Sequence, residues 1–269
     1  MVKNLDAYKL KWLAVIGMIL NHMVIGWWEA IPLWFAVPMY MAGGITFPIM
    51  GYLAVEGYKY TRNLRKYLYR LFGVGVIAML FHPLVMRVFM LNIMFTLVVG
   101  LLAIVLYDTI KSKPLFWSLF VLLCLLTAVP IVFDWAVIGV VMMLMCHIIK
   151  NEKRKVIMPV VVGSVLMLAM TSLAVWSMHF IKNTPELAPY AEEIVYAATF
   201  GHGMIFIYMT YTFVVGMLLS IWLLLKYNGQ RGKKSGKALF YVIYPLHLAI
   251  IGGVALLAGW VGLSVFLVG

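Results

Sequence analysis

Charged residues are scarce in this chain, and their scarcity excludes most soluble folds. Only 11% of its 269 residues are charged, whereas 65% are hydrophobic. A soluble domain usually has about 25% charged and about 45–50% apolar residues. The sequence therefore predicts an all-α fold, a polytopic transmembrane helix bundle. We expect one membrane domain over residues 1–269, with no soluble domain beside it.

Cysteine is nearly absent as well. Cys124 and Cys146 both lie in apolar runs, so we infer neither a disulfide nor a metal site from them. The first apolar run also lacks the small-residue cleavage site of a signal peptide, and Asn21 and His22 interrupt it. We therefore expect this run to be a membrane span.

Acidic residues are fewer than basic ones: nine Asp and Glu stand against 21 Lys and Arg, for a net charge of +12. Such an excess can indicate nucleic-acid binding, but the positions of the charges point to another cause. The sequence contains nine apolar runs, and the segments between them alternate in charge. The runs cover residues 10–28, 38–57, 68–86, 91–107, 115–130, 135–149, 156–179, 200–225 and 239–262.

If every run crosses the bilayer, all but two of the 21 basic residues lie on one side, and Arg87 and Lys182 are the exceptions. Because basic loops stay in the cytoplasm, this pattern predicts a cytoplasmic N-terminus and an outer C-terminus. The expected location is a bacterial-type cytoplasmic membrane, with the lipid bilayer and not nucleic acid as partner. No internal repeat is visible, which weakens the case for an inverted-repeat transporter but leaves that class open.

Asn21 and His22 lie side by side near the middle of the first run. A polar pair at that depth must face other helices or a wet cavity, because lipid offers it no hydrogen bonds. At about 1.5 Å per residue, His22 lies roughly 18 Å along the span. Since an imidazole exchanges protons near neutral pH, His22 is a candidate general base or nucleophile. The alternative is a buried histidine bonded to a neighbouring helix.

The last run contains a second polar break, in the sequence KALFYVIYPLHL. Pro245 frees a backbone carbonyl one turn earlier, and Tyr244 and His247 lie beside that break. His247 and His22 approach the middle of the bilayer from opposite sides, which suggests a passage between helices. In the second run, Pro48 is expected to kink the helix.

A cationic cluster follows the second run on the side predicted to be cytoplasmic. It can bind phosphate groups, or it can anchor the helix end at anionic lipid. Glu56, just before it, can pair with a nearby Lys or Arg. The four residues of the cluster are Arg62, Arg65, Lys66 and Arg70.

A second polar group surrounds the third outside loop. Asn92 and Thr96 are four residues apart and share one helix face, so they can form one wall of an acceptor pocket. Ordinary capping of the hairpin is the alternative. The candidate substrate-binding residues are His82, Arg87, Asn92 and Thr96.

The run FPIMGYLAVEGYKYTRNLRKYLYRL resembles the signature of TraX-type membrane proteins, a family named for an enzyme that N-acetylates conjugative pilin. Three further stretches are similar to that family: Asn21-His22, the segment from Leu91-Asn92 to Phe95-Thr96, and FYVIYPLHL. Residues 115–200 match only in hydropathy and in the Phe133-Asp134…Gly139 pattern.

The resemblance implies membership of a wider group of transmembrane acyltransferases, with acyl-CoA entering from the cytoplasmic side and a catalytic histidine in the first span. That histidine would be His22. The family usually has Asp before it, where this chain has Asn21, and Asn supplies no charge to stabilise the imidazole cation. Either Glu56 or Asp134 provides the carboxylate, or the base is weaker. The resemblance does not identify the acceptor.

These expectations combine into an acyltransferase, with acetyl-CoA as the expected acyl donor. The phosphates would meet the cationic cluster, and the pantetheine arm would reach past Tyr244 and His247. His22, with Asn21 beside it, would take the proton of a hydroxyl or amine acceptor or carry the acetyl group itself. The alternative is a transporter or channel whose polar residues line a proton or solute path.

Overall fold

The computed structural model describes residues 3–128, 134–187, 189, 204–232 and 237–263. In these parts of the chain the regular structure is helical, and no strand is present. The helices are α1 (Ala7–Gly26), α2 (Leu33–Gly43), α3 (Thr46–Tyr60), α4 (Leu64–Ala78), α5 (His82–Met86), α6 (Ile93–Thr109), α7 (Lys113–Ala128), α8 (Ala136–Ile148), α9 (Glu152–Asn183), α10 (Met204–Leu225) and α11 (Lys237–Leu257).

Five helical stretches within these residues are long and apolar enough to cross a membrane. The helices α6, α7 and α8 are apolar but shorter. The chain is therefore an integral membrane protein with an all-helical bundle. The five stretches are Ala7–Gly26, Leu33–Tyr60, Glu152–Asn183, Ile207–Leu225 and Leu239–Leu257.

The second predicted run is two helices, and the break lies one turn before Pro48. The helical stretch is interrupted at Gly44 and Ile45, between α2 and α3. Pro48 cannot donate to the Gly44 carbonyl, so the disruption expected from it is found there, and the proline itself lies in the first turn of α3. A Cβ atom on Gly44 would collide with the Phe213 carbonyl oxygen of α10, so the chain needs glycine where these two helices cross.

The third run also differs from its prediction. It divides into α4 and the short α5, which carries His82 at its start. The last run ends as a helix at Leu257. Phe133 of the family pattern and the possible extension to Val268 lie outside the described residues.

Side-chain caps fix where several helices begin. Asp6 accepts a hydrogen bond from the Lys9 backbone at the start of α1, and Asn92 accepts one from Met94 at the start of α6. The helix α1 lies at the centre and packs against α2, α3, α5 and α11, while α10 packs on α2 and α9. This arrangement surrounds the polar middle of α1 with other helices.

Candidate functional site

Two histidines from opposite ends of the chain meet inside the bundle. His22 of α1 and His247 of α11 are both buried, and 2.7 Å separates His22 Nδ1 from His247 Nε2. Their rings stack, with 5.0 Å between centroids and 20° between planes. The sequence placed these residues near the same depth; the structure adds that they bond directly.

The hydrogen-bond pattern assigns a proton to one nitrogen of each ring. His247 Nδ1 lies 2.9 Å from the Ile243 carbonyl oxygen, which can only accept, so Nδ1–H donates. In a neutral His247, Nε2 then accepts from His22 Nδ1–H. A neutral His22 therefore carries its free lone pair on Nε2, the nitrogen that can act as a base. This is the order of a catalytic triad, with His247 as the residue that orients the base.

His22 lines a cavity of about 230 Å³, which we call the His22 cavity. Its walls are largely methionine and aromatic side chains, among them Met18, Met90 and Phe213. A mostly apolar wall with a few convergent polar groups is typical of a small-molecule site. The polar residues on its wall are Asn21, His22, Tyr40, Thr46, Asp134 and Thr210.

Asp134 supplies the carboxyl group on this wall. The Asp134 backbone N–H donates to the Leu91 carbonyl at 2.8 Å, and the Asp134 carbonyl accepts from the Thr96 hydroxyl. Burial raises the pKa of the Asp134 carboxyl to about 7, and the Trp135 backbone N–H partly opposes this shift. Of the two carboxylates considered from the sequence, Asp134 shares a cavity with His22.

Glu56 lies elsewhere, at the end of α3. It bonds Lys59 at 3.0 Å and Lys155 at 3.2 Å, as the sequence predicted for a nearby basic residue. Lys155 is itself buried and also bonds Glu152 at 2.9 Å. Only an indirect sign of this buried ion pair is visible in the sequence, because Glu152 lies one helical turn before Lys155.

The predicted substrate-binding residues do not line the His22 cavity. Asn92 is occupied as the α6 cap and donates to the Gly75 carbonyl at 2.9 Å. Arg87 pairs with Glu29 at the opposite end of the bundle from Lys155. His82 is buried with its ring centroid 6.4 Å from that of His22. Thr96 reaches the cavity indirectly, through its bond to Asp134. A role in binding substrate stays a prediction for all four.

Asn21 and Tyr244 are two further predicted site residues near the histidine pair. Asn21 is on the cavity wall, and the missing side chain of Gly43 leaves room for it. Its Oδ1 atom has no hydrogen-bond partner among the described residues. Tyr244 is buried, with its ring centroid 5.6 Å from that of His247.

The cationic cluster is exposed at the beginning of α4. Its four side chains form no ion pair with the acidic residues of the described parts of the chain. The cap at Asn63, which accepts from the Lys66 backbone at 2.9 Å, fixes where this helix starts. Arg62, Arg65, Lys66 and Arg70 are thus available to an anion from outside the protein.

Sequence reasoning missed the His22–His247 bond and the cavity positions of Tyr40, Thr46 and Thr210. A signal for the first lay in the spacing of Ile243 and His247, which are four residues apart on one helix. An i−4 carbonyl is within reach of such a side chain and can fix which nitrogen carries the proton. The cavity positions depend on how helices distant in sequence pack, so no local pattern announces them.

A family model and a curated protein are similar to this chain over most of its length. The chain is 27% identical over 272 residues to the probable fimbrial assembly protein FimC, serogroup H1, of Dichelobacter nodosus. The aligned region covers 93% of this chain and 97% of that protein. No solved structure matches. A family model described as TraX protein matches residues 7–255, from the start of α1 almost to the end of α11. The chain therefore belongs to the TraX protein family.

Proposed function

We propose that the protein is a membrane-embedded acyltransferase that moves an acetyl group from cytoplasmic acetyl-CoA to a hydroxyl or amine acceptor at the membrane or its outer side. The observation that carries this proposal is the His22–His247 bond, which leaves His22 Nε2 basic beside a cavity. The family and a relative named for fimbrial assembly support an acceptor related to surface fibres.

In the proposed reaction, His22 Nε2 takes the proton of the acceptor hydroxyl or amine. The freed oxygen or nitrogen bonds the acyl carbon of the thioester, and the carbon–sulfur bond breaks. The proton on His22 then passes to the leaving sulfur, which departs as a thiol. His247 holds the ring through its bond to Nδ1, so no reorientation is needed during the transfer.

The donor would be held at the cationic cluster. Coenzyme A is a polyanion, and Arg62, Arg65, Lys66 and Arg70 present exposed charges without an acidic partner among the described residues. Charge-assisted bonds from arginine to phosphate are strong and directional. This proposal requires nine membrane spans. It also requires that the cluster, the N-terminus and the basic loops lie in the cytoplasm.

Cysteine labelling in intact cells tests that topology. With both native cysteines replaced by serine, a cysteine at Gly232 should react with a membrane-impermeant maleimide only after the membrane is opened. One at Leu187 should react in intact cells. Gly232 lies in a basic segment and Leu187 in an acidic one. Reversal of both results would place the cationic cluster on the wrong side for a cytoplasmic donor.

Transfer from radiolabelled acetyl-CoA by protein purified in nanodiscs tests the chemistry, with a membrane extract of the source cells as acceptor. His22→Ala should lower the rate by about 10²–10⁴-fold, the usual effect of removing a general base. It should leave acetyl-CoA affinity nearly unchanged, because the cationic cluster lies on another helix. His147→Ala is the matched control, since His147 bonds Asp108 outside the cavity and should retain full activity.

The outcomes separate the candidate functions. Wild-type turnover in His22→Ala would remove His22 from the reaction and make His247 the next candidate base. Solute flux into liposomes without acyl-CoA, together with no transfer, would favour the transporter class. An acetyl group on His22 after rapid quenching without acceptor would replace direct transfer with a covalent route.

A further inference from the structure

A second, smaller cavity lies nearer the basic end of the bundle, by which we mean the helix ends that meet the Lys- and Arg-rich segments. It measures about 10 Å³ and is enclosed by α3, α8, α9 and α10. Cys146 and Leu224 lie near the basic ends of α8 and α10, and Val156 lies near the beginning of α9. We call this space the Cys146 cavity.

A buried ion pair borders the Cys146 cavity on its basic side. Lys155 Nζ bonds Glu56 and Glu152 and lies 5.3 Å from the centroid of the Tyr52 ring. Tyr52 is on the cavity wall, and Val156, another wall residue, follows Lys155 in sequence. A charged group thus separates the apolar cavity from the basic end, in the direction from which an anionic donor would come.

A pair of stacked aromatic rings separates the two cavities. Phe47 lines the Cys146 cavity and Trp135 lines the His22 cavity. Their ring centroids are 4.5 Å apart and their planes are inclined by 17°. Phe47 is fully buried, so the stack fills the space between the cavities.

The backbone at the stack is unusual. Trp135 has a φ of 63°, in the left-handed region that bulky residues rarely adopt. Such conformations persist where surrounding structure enforces them, and they are frequent at clamps and switches. Here the enforcement comes from the Asp134 backbone, which is bonded to Leu91 and Thr96.

Glycines make the space that Phe47 and Met143 occupy. A Cβ atom on Gly139 would collide with the Phe47 ring, and one on Gly100 would collide with the Met143 side chain. Met143 also lines the Cys146 cavity, and methionine changes rotamer at low cost. The groups between the Cys146 cavity and His22 are therefore side chains that can change rotamer, not backbone.

We infer that the thioester arm of the acyl donor reaches His22 through the Cys146 cavity, and that the Phe47–Trp135 stack is the gate it passes. This inference rests on the proposed acyltransferase function and assigns its donor a route between α3, α8, α9 and α10. The Cys146 cavity has room for about one water molecule, so the arm can enter only when the Met142, Met143 and Phe47 side chains move aside, and the nucleotide stays outside. In the closed arrangement the stack keeps cytoplasmic water from the His22 cavity.

Cys146 provides a direct probe of the route, because it lies on the cavity wall and Cys124 does not. In Cys124→Ser protein, the rate of reaction with N-ethylmaleimide is measured with and without coenzyme A. At about ten times its Kd, coenzyme A should slow the labelling of Cys146 about tenfold, since only the free protein reacts. Labelling that coenzyme A does not change would overturn the route.

Filling the cavity tests the same route by turnover. A Cβ atom on Gly51 would lie 3.3 Å from Phe47 and 3.4 Å from Met143, so Gly51→Ala should reduce transfer and Gly51→Leu should abolish it. Binding of coenzyme A to the exposed cluster should persist in both. Normal transfer in a folded Gly51→Leu protein would contradict the route.

Opening the gate should have the opposite effect. Phe47→Ala should increase hydrolysis of acetyl-CoA without acceptor, because water can then pass the stack. The matched control is Phe116→Ala, which removes an equally buried ring in α7, away from both cavities. Equal rates of acetyl-CoA hydrolysis in the two variants would contradict the proposed gate.

Failure of the route and failure of the function give different results. Wild-type transfer with an unprotected Cys146 rejects the route and keeps the enzyme. A protein that neither transfers acetyl nor binds coenzyme A rejects both.

Discussion

The basic end of the bundle and its centre solve the problem of buried polar groups in different ways. At the basic end, Lys155 is bonded to Glu56 and Glu152, and Asp108 to Tyr58 and His147. Each carboxylate there faces a donor within 3.2 Å. At the centre two buried histidines are bonded to each other, and His247 is bonded in turn to the Ile243 carbonyl.

Unpaired buried polar atoms occur in both regions, but their surroundings differ. Asn21 Oδ1 lies on the wall of the His22 cavity, whereas His147 Nδ1 lies beside the Asp108 ion pair, and neither atom has a hydrogen-bond partner among the described residues. Buried polar groups are usually paired, so unpaired ones in a cavity region indicate a place where a ligand's polar atoms fit. We therefore propose that the basic end stabilises the fold and that the centre binds the substrate.

The largest effect that separates the two regions is expected at His247. His247→Leu removes the acceptor that fixes the His22 proton, so transfer should fall about 10²-fold while the KM for acetyl-CoA stays similar. His247→Gln keeps an acceptor oxygen within reach of His22 and should recover part of the rate. The measurement is kcat and KM across a pH series for both variants and for wild type.

A purely structural role for His247 would give a different pattern. The two variants would then lose thermal stability together with activity, and Gln would not rescue the rate better than Leu. That result would remove the contrast between centre and basic end.

A smaller effect, on stability, is expected at the basic end. Lys155→Met leaves Glu56 with only Lys59 among its described partners, and the free energy of unfolding should fall by about 2 kcal/mol. The double variant Glu56→Gln with Lys155→Met should be more stable than Lys155→Met alone, because no uncompensated charge remains. Denaturant unfolding in detergent measures all three, with Lys59→Met as the control.

Lys59 is bonded to the same carboxylate but is exposed, so its loss should cost less than about 1 kcal/mol. Equal losses in Lys59→Met and Lys155→Met would mean that burial does not distinguish the two pairs. The basic end would then not be the stabilising region.

The sequence predicted the coarse fold because hydropathy and charge act locally. The scarcity of charge and the long apolar runs imply membrane helices, and the structure has five stretches suited to crossing. The break between α2 and α3 was also predictable, because Pro48 cannot bond the carbonyl four residues earlier. The close crossing of Gly44 with α10 was not, because α10 is distant in sequence.

The candidate site was only partly predictable. His22 and His247 stood out because a polar residue inside an apolar run is costly unless it is used. The bond between them, the inclusion of Asp134 in the cavity and the exclusion of Asn92 depend on packing between elements far apart in sequence. A cap residue and a substrate ligand have the same composition, so the pattern of Asn92 and Thr96 could not separate those roles.

A pH-dependent effect tests the boundary between the two regions, through Asp134. Burial raises its folded-state pKa to about 7 from an ordinary value near 3.8. The folded protein thus holds this proton more tightly than the unfolded chain, so the stabilising contribution is complete below pH 3.8 and is lost as the pH rises through about 7. Asp134→Asn cannot lose that contribution. The midpoint of thermal unfolding of Asp134→Asn should therefore rise relative to that of wild type between pH 5 and pH 8. Acetyl transfer should fall, because the cavity loses its carboxylate.

Asp108→Asn is the control, since Asp108 lies outside the cavity, and this variant should show no such rise. If the difference between Asp134→Asn and wild type is the same at both pH values, the carboxyl group is solvated like those of the basic end, and it belongs with the stabilising charges and not with the site.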